Sequence, residues 1–198
     1  ACDTIGLGKM VNLDVIELAS ESALLFRAQN KYLTKDLKNT RFLVTAGPTV
    51  EDLDAARQLT NRSSGRMGVL VAQAAKLRGA EVDLVHGPIN IEKELLEGLN
   101  TYKIRSSIEM GKKIDDLQSS AQVIVMAAAV SDFRKSTPST KKISKELFLN
   151  TIANDIEMTP DLIKSQTLRR LGNQIFLGFA AETGNVNEIK EKGEKKRV

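Results

Sequence analysis

The sequence predicts an α/β fold: a three-layer, Rossmann-like, doubly wound and mostly parallel sheet. Two observations carry the prediction. Short aliphatic runs recur with helix-length amphipathic segments between them, as right-handed βαβ units require. The run at 122–129, Q-V-I-V-M-A-A-A, is apolar at successive positions, so both of its faces are buried, as in a parallel strand.

From 12 to 29 a helical spacing runs through Val15, Ile16, Ala19, Ala23 and Phe26, and the polar stretch 30–40 reads as a linker. The first strand is 41–45, R-F-L-V-T, which stops at Ala46-Gly47-Pro48-Thr49. A charged loop follows. A helix over 67–77 places Met67, Leu70, Val71, Ala74 and Ala75 on one stripe, and Gly79 ends it. Strands are expected at 81–85 and 102–105, with His86 at the end of the former. Ser106 and Glu109 have capping-box spacing ahead of a helix bearing Met110, Ile114 and Leu117. After the buried strand 122–129 come a weaker strand at 147–151 and a helix to Leu168 with Thr159 as N-cap and Pro160 at its first position. The last strand is 174–179, and a charged helix begins at Val186.

Composition narrows the function. The chain of 198 residues carries 29 basic and 25 acidic residues, a net charge of +4, with one Cys and one His. A disulfide framework and a multi-histidine zinc site are excluded. No apolar run approaches the ~20 residues of a membrane span, and the N-terminus lacks the order of a secretory signal, so a cytoplasmic protein without membrane attachment is expected. Nucleic-acid binding normally calls for a stronger basic face, and small anionic ligands fit this mild charge at least as well; no nucleic-acid partner is expected.

Doubly wound sheets bind ligands beyond the carboxyl ends of their strands, which directs attention to 47–49, 127–132 and 179–183. The most informative segment is Asn61-Arg62-Ser63-Ser64-Gly65-Arg66-Met67-Gly68. Two hydroxyls, a glycine and free N–H groups at a helix start suit an anion; a plain N-cap by Ser63 or Ser64 accounts for the same residues. Neither a Walker A sequence nor G-x-G-x-x-G is present. Gly47 occupies a second candidate phosphate turn. Asp132 follows the small residues of 127–130 and is placed to hold a hydroxyl or a metal ion, or to cap a turn. Lys142 and Lys145 lie in a Ser/Thr/Pro/Lys-rich stretch that reads as a mobile loop, able to close over a triphosphate. Phe179 is a candidate for stacking on a base or for the core.

The ordered motifs T-A-G-P-T (45–49), N-R-S-S-G-R-M-G (61–68), A-A-A-V-S-D-F (127–133), K-I-S-K (142–145), T-P-D-L (159–162) and G-F-A-A-E-T (178–183) closely resemble phosphopantothenate–cysteine ligase. That family forms the C-terminal half of a bifunctional bacterial protein of coenzyme A biosynthesis. The resemblance implies a reaction of 4′-phosphopantothenate, CTP and L-cysteine through an acyl-cytidylate, with Mg²⁺ accompanying the triphosphate and no protein metal site. It implies a catalytic role for Asn61 and for Lys142, the first lysine of a flap whose middle lysine is here Ser144. It assigns Gly47, Ser63, Ser64, Gly65, Gly68, Met126, Ala127, Ala128, Asp132, Lys142, Thr159, Pro160, Asp161, Leu162, Phe179 and Lys196 to nucleotide binding. Residues 1–10 resemble the clamp that ends the partner flavoprotein decarboxylase, with Cys2 as its cysteine; FMN is implied for the decarboxylase half alone. The expected organisation is 1–40 as the end of that domain plus a helix and linker, and 41–198 as the ligase domain. Its family continues into a further subdomain used in homodimer formation, so a truncated C-terminus is expected. The competing reading is a non-catalytic Rossmann-like module holding NAD(P) or a phosphorylated metabolite.

Overall fold

The computed structural model describes residues 12–28, 35–181 and 183–195. Five parallel strands form the central sheet: β1 (Arg41–Ala46), β4 (Glu81–His86), β5 (Asn100–Lys103), β6 (Val123–Met126) and β9 (Ile175–Gly178), in the order β5-β4-β1-β6-β9. The chain winds outward from β1 in one direction and from β6 in the other, so the strand order reverses between these two neighbours. That reversal opens the crevice in which doubly wound sheets place their ligands.

Alternation along the strands feeds two cores. Val44 and Ala46 of β1 join Val82 and Leu84 of β4 beneath α2 (Arg66–Leu77) and a 3₁₀ turn at Lys93–Leu96, whose Leu95 is fully buried. On the opposite face Leu43, Val85, Ile124 and Met126 pack with Met110 and Ile114 of α3 (Ser107–Gln118) and Leu162 of α5 (Leu162–Leu168). Two helical layers around one sheet give the three layers expected. A further helix, α1 (Leu13–Ala28), lies against α2, and α6 (Val186–Lys195) follows β9.

Several expectations change. The stretch between β1 and α2 is not a loop but an antiparallel hairpin, β2 (Val50–Asp54) and β3 (Arg57–Thr60), with an irregularity between Asp52 and Asp54. Residues 147–151 are not a strand. They lie within α4 (Lys145–Asp155), whose N-cap Ser144 accepts a hydrogen bond from Leu147 N. In sequence α4 lies between the strands of a small antiparallel pair, β7 (Phe133–Lys135) and β8 (Ile156–Met158). The N-cap of α5 is Asp161 rather than Thr159, and its carboxylate accepts from Lys164 N at 2.9 Å; Pro160 therefore precedes the helix instead of opening it. Strand β6 ends at Met126 because Ala127 N and Ala128 N turn to donate to Thr45 Oγ1, both at 3.1 Å. The capping box of α3 forms with one displacement: Ser106 Oγ accepts from Glu109 N, while Glu109 reaches back to Arg105 N at 2.9 Å.

The apolar stripe of α2 is rotated from the sheet. Gly68, Val69, Ala72, Gln73 and Ala75 are the buried residues, whereas Met67, Leu70, Val71 and Ala74 line a shallow groove with Leu18 of α1. Small residues face the sheet because the helix lies close to it: a Cβ on Gly68 would stand 2.7 Å from Ala46 Cβ and 2.8 Å from the Thr45 carbonyl oxygen.

Candidate active site

The site is built where β1 and β6 end side by side. Parallel pairing persists beyond the strands, with Ala129 N donating to Gly47 O at 2.9 Å and Thr49 N to Ala129 O at 3.2 Å. Ser131 N then donates to Thr49 Oγ1 at 2.9 Å. Thr45 and Thr49 are fully buried, so their hydroxyls serve as fixed acceptors that stitch the two strand ends together. This leaves little slack in the backbone bordering the crevice.

Asn61 follows β3 directly and lies over this seam. Its Nδ2 donates to Val130 O at 2.9 Å and to Ala129 O at 3.3 Å. Only the NH₂ end of an amide can face two carbonyl oxygens, so Oδ1 is directed away from them as an acceptor, and the side chain is exposed. The neighbouring Thr60 Oγ1 donates to Thr49 O at 2.9 Å, which fixes the hairpin exit to the end of β1. Thr159 binds the same region from the other side: its N–H donates to Asp132 O at 2.9 Å and its hydroxyl to Ser131 O. Phe179 N donates to Met126 O at 3.3 Å, and the Phe179 ring is about half exposed. Asn61, Ala127, Ala128, Asp132, Thr159 and Phe179 are thus gathered at the end of β6.

The glycine loop sits beside them. Gly65 is the N-cap of α2 with φ 78°, and no side chain caps that helix. Ser63 Oγ accepts instead from Gly65 N and Ser64 Oγ from Arg66 N, each at 3.3 Å. A Cβ on Gly65 would lie 2.4 Å from Ile89 Cγ2 and 3.0 Å from Gly47 N, so the two candidate phosphate turns touch each other. Arg66 adds no free charge here, since it pairs with Asp14 and, at 3.7 Å, with Glu92. Arg62 is exposed.

Other sequence-selected residues have scaffold positions. Met126 and Leu162 bury their side chains in the core, and Asp161 spends its carboxylate on the α5 cap. His86 is buried; Nδ1 lies 2.8 Å from Gly87 O, and Nε2 has no partner. Cys2 and Lys196 lie outside the described residues. Among the described residues no three His, Cys, Asp or Glu side chains gather as a metal site, and no helix is long and apolar enough to cross a membrane.

Lys142 is exposed on a segment that is anchored rather than loose. Ser139 N donates to Leu53 O at 3.2 Å, and Ile143 N donates to Asp54 Oδ2 at 3.1 Å. Arg57 stacks on Phe148, its Cζ 3.8 Å from the ring centroid. Asp54 and Arg57 were not singled out by the sequence, although Asp54 ahead of two alanines carries the signal of a turn whose first side chain accepts backbone N–H groups. Burial pushes the Asp54 carboxyl up, but hydrogen bonds from Ala56, Ile143 and Arg57 N–H and the Arg57 charge outweigh it and hold it below the usual carboxylate range.

A family model described as the DNA/pantothenate metabolism flavoprotein C-terminal domain matches residues 37–198. The coenzyme A biosynthesis bifunctional protein CoaBC of Vibrio cholerae is 36% identical over 186 residues, covering 94% of this chain and 44% of that protein. Its Escherichia coli K12 counterpart is 33% identical over 194 residues, covering 95% of this chain and 44% of that protein. The crystal structure of the C-terminal domain of a CoaBC protein matches with a TM-score of 0.66 and 32% identity, covering 82% of this chain and 75% of that one. The chain spans less than half the length of these two curated relatives, 44% of each.

Proposed function

The chain belongs to the family of the DNA/pantothenate metabolism flavoprotein C-terminal domain, and on that premise we propose that it is the phosphopantothenate–cysteine ligase part of a coenzyme A biosynthesis protein. In this reading residues 41–198 form the ligase domain and 1–40 the end of a flavin-dependent decarboxylase half together with a helix and linker. The protein works in the cytoplasm, with a homodimer as its assembled form.

The proposed reaction has two steps. The carboxylate of 4′-phosphopantothenate attacks the α-phosphorus of CTP, the bond to the β-phosphate oxygen breaks, and pyrophosphate leaves. The amine of L-cysteine then attacks the acyl carbon and expels CMP, losing its proton as the amide forms. The helix start at 63–66 and the exposed Lys142 ammonium suit the phosphates and Phe179 suits the base; Mg²⁺ accompanying the triphosphate would offset part of its charge.

The observation that carries this reading is the orientation of Asn61. Two carbonyls fix its NH₂ end, leaving Oδ1 as a preorganised acceptor for the N–H of an attacking amine or of the pantothenoyl amide. Preorganised polar groups contribute to a transition state without reorienting when the charge develops.

The test is the melting temperature of the chain against CTP, ATP and NAD. Ligand bound to the folded state at 100 times its Kd stabilises by about 2.7 kcal/mol, so CTP is expected to raise the midpoint and NAD to leave it unchanged. Stabilisation by NAD with no response to CTP would replace the ligase by a dinucleotide-holding module.

A further inference from the structure

We propose that Asp54 is a positioning residue: through Oδ2 it latches the 139–148 segment onto the β2–β3 hairpin and thereby sets where Lys142 is presented. Its functional meaning rests on the nucleotide role proposed above for Lys142.

The two carboxylate oxygens divide the work. Oδ1 closes the hairpin turn, accepting from Ala56 N at 2.8 Å and Arg57 N at 2.9 Å. Oδ2 looks outward from the turn and accepts from Ile143 N at 3.1 Å, a residue 89 positions away in sequence. The Arg57 guanidinium shares Oδ2: Nη1 lies 3.4 Å from it and has no hydrogen-bond acceptor of its own. Arg57 Nη2 reaches Ile143 O at 3.5 Å, so the Ile143 residue is held at its N–H by Asp54 and at its C=O by Arg57. The ring of Phe148 beneath the guanidinium completes the attachment.

A turn needs no ionised buried carboxylate, because an Asn side chain would close it equally well. Asp54 is only 4% exposed, and removing a carboxylate from water is costly unless its lone pairs are matched. The second oxygen is matched only by the partner segment and by the arginine that also grips that segment. The feature the turn does not require is therefore spent on the latch. Its consequence is geometric. Lys142 is the residue before Ile143, and Asn61 is the residue after β3, so the same hairpin holds both residues assigned to the chemistry.

The prediction is read by backbone amide hydrogen exchange without nucleotide. Asp54→Asn keeps an oxygen for the turn and offers Ile143 N–H an NH₂ group that cannot accept. Exchange across 139–145 is expected to rise roughly tenfold, about 1.4 kcal/mol, while 50–60 stays within about twofold. Ile143→Pro removes the donor from the other side and should accelerate the hydrogen-bonded amides of Ser139 and Lys141 as Asp54→Asn does, with the double variant no faster than either single one. Unchanged exchange in 139–145 in either variant overturns the latch. So does joint acceleration of hairpin and segment in Asp54→Asn with protection retained in Ile143→Pro, which would make Asp54 a turn residue only. Asp54→Asn should also weaken CTP binding roughly tenfold in the parent and not at all in a Lys142→Ala background; an equal loss in both overturns the positioning role. A parent chain that ignores CTP altogether would instead count against the ligase reading, leaving the exchange result to decide the latch by itself.

Discussion

Asn61→Asp separates what the amide holds from what it presents. The substitution replaces an NH₂ group that donates to Ala129 O and Val130 O, at 3.3 and 2.9 Å, by an oxygen facing two carbonyl lone pairs. Each lost hydrogen bond is worth about 0.5–1.5 kcal/mol, and the longer one lies at the low end, so a stability loss of about 1–2 kcal/mol follows. For a domain of this size that lowers the melting temperature by roughly 2–8 °C. The repelled carboxylate leaves the seam, and the fixed acceptor is lost with it. Removing one preorganised group of this kind costs about 10²–10³ in rate. Because the acceptor is assigned to the acyl-cytidylate and its attack by cysteine, amide formation should fall by that factor while pyrophosphate release stays within about tenfold. The assay follows pyrophosphate and phosphopantothenoylcysteine in parallel from 4′-phosphopantothenate, CTP and cysteine. Product formed at the parent rate refutes the reasoning, and so does an equal fall in both steps, which would reduce Asn61 to a structural tie.

Three other perturbations probe the scaffold. Gly65→Ala combines a left-handed φ, costing about 1–2 kcal/mol, with a Cβ placed 2.4 Å from Ile89 Cγ2, an overpacking of about 1–3 kcal/mol; denaturant unfolding should show a loss of about 2–5 kcal/mol, partly recovered by Ile89→Ala. Thr45→Val keeps the shape of a fully buried side chain and strands the N–H groups of Ala127 and Ala128, so unfolding should show a loss of about 2–4 kcal/mol that Thr45→Ser largely avoids. The Asp54 carboxyl titrates lower in the fold than in the unfolded chain, so the unfolded state binds its proton first. Its stabilisation is present above the unfolded value near 4 and is lost as pH falls through the lower folded value; urea midpoints between pH 2.5 and 6 should show an acid limb that Asp54→Asn flattens.

What the sequence disclosed follows from how each element earns its burial. The parallel strands were legible because burial on both faces demands largely apolar runs: 42–44 and 123–129 are unbroken, and 81–85 keeps Val82, Leu84 and Val85 around one buried acid, Asp83, which pairs with Arg41 within the same sheet. The hairpin was not, because its buried positions include acids. Glu51 and Asp54 are 5% and 4% exposed, and each is matched by backbone N–H groups of distant segments, Ser107 for one and Ile143 for the other. A pattern that equates polar with exposed reads such a strand as a charged loop. The face of α2 was misjudged for the opposite reason. Large apolar residues define the stripe in sequence, whereas the buried face of the helix is Gly68, Val69, Ala72, Gln73 and Ala75, with glycine and alanine where it comes nearest the strand.

The site divides in the same manner. The order of its motifs identifies which residues matter, but their convergence depends on bonds between segments far apart in the chain. Asn61 reaches 130 across 69 positions and Thr159 reaches 131 across 28; neither reach has a local signature. Both ties end on backbone carbonyls just past β6, where no side-chain complementarity exists to be read in either partner. The same holds for the 139–148 segment. Its Ser, Thr and Lys content described the exposed side chains correctly, yet what fixes the segment is the peptide of Ile143, whose bonding groups are common to nearly every residue. A loop's composition therefore reports its surface. Its mobility is decided by what waits on the other side, here one buried carboxylate on a hairpin the composition had concealed.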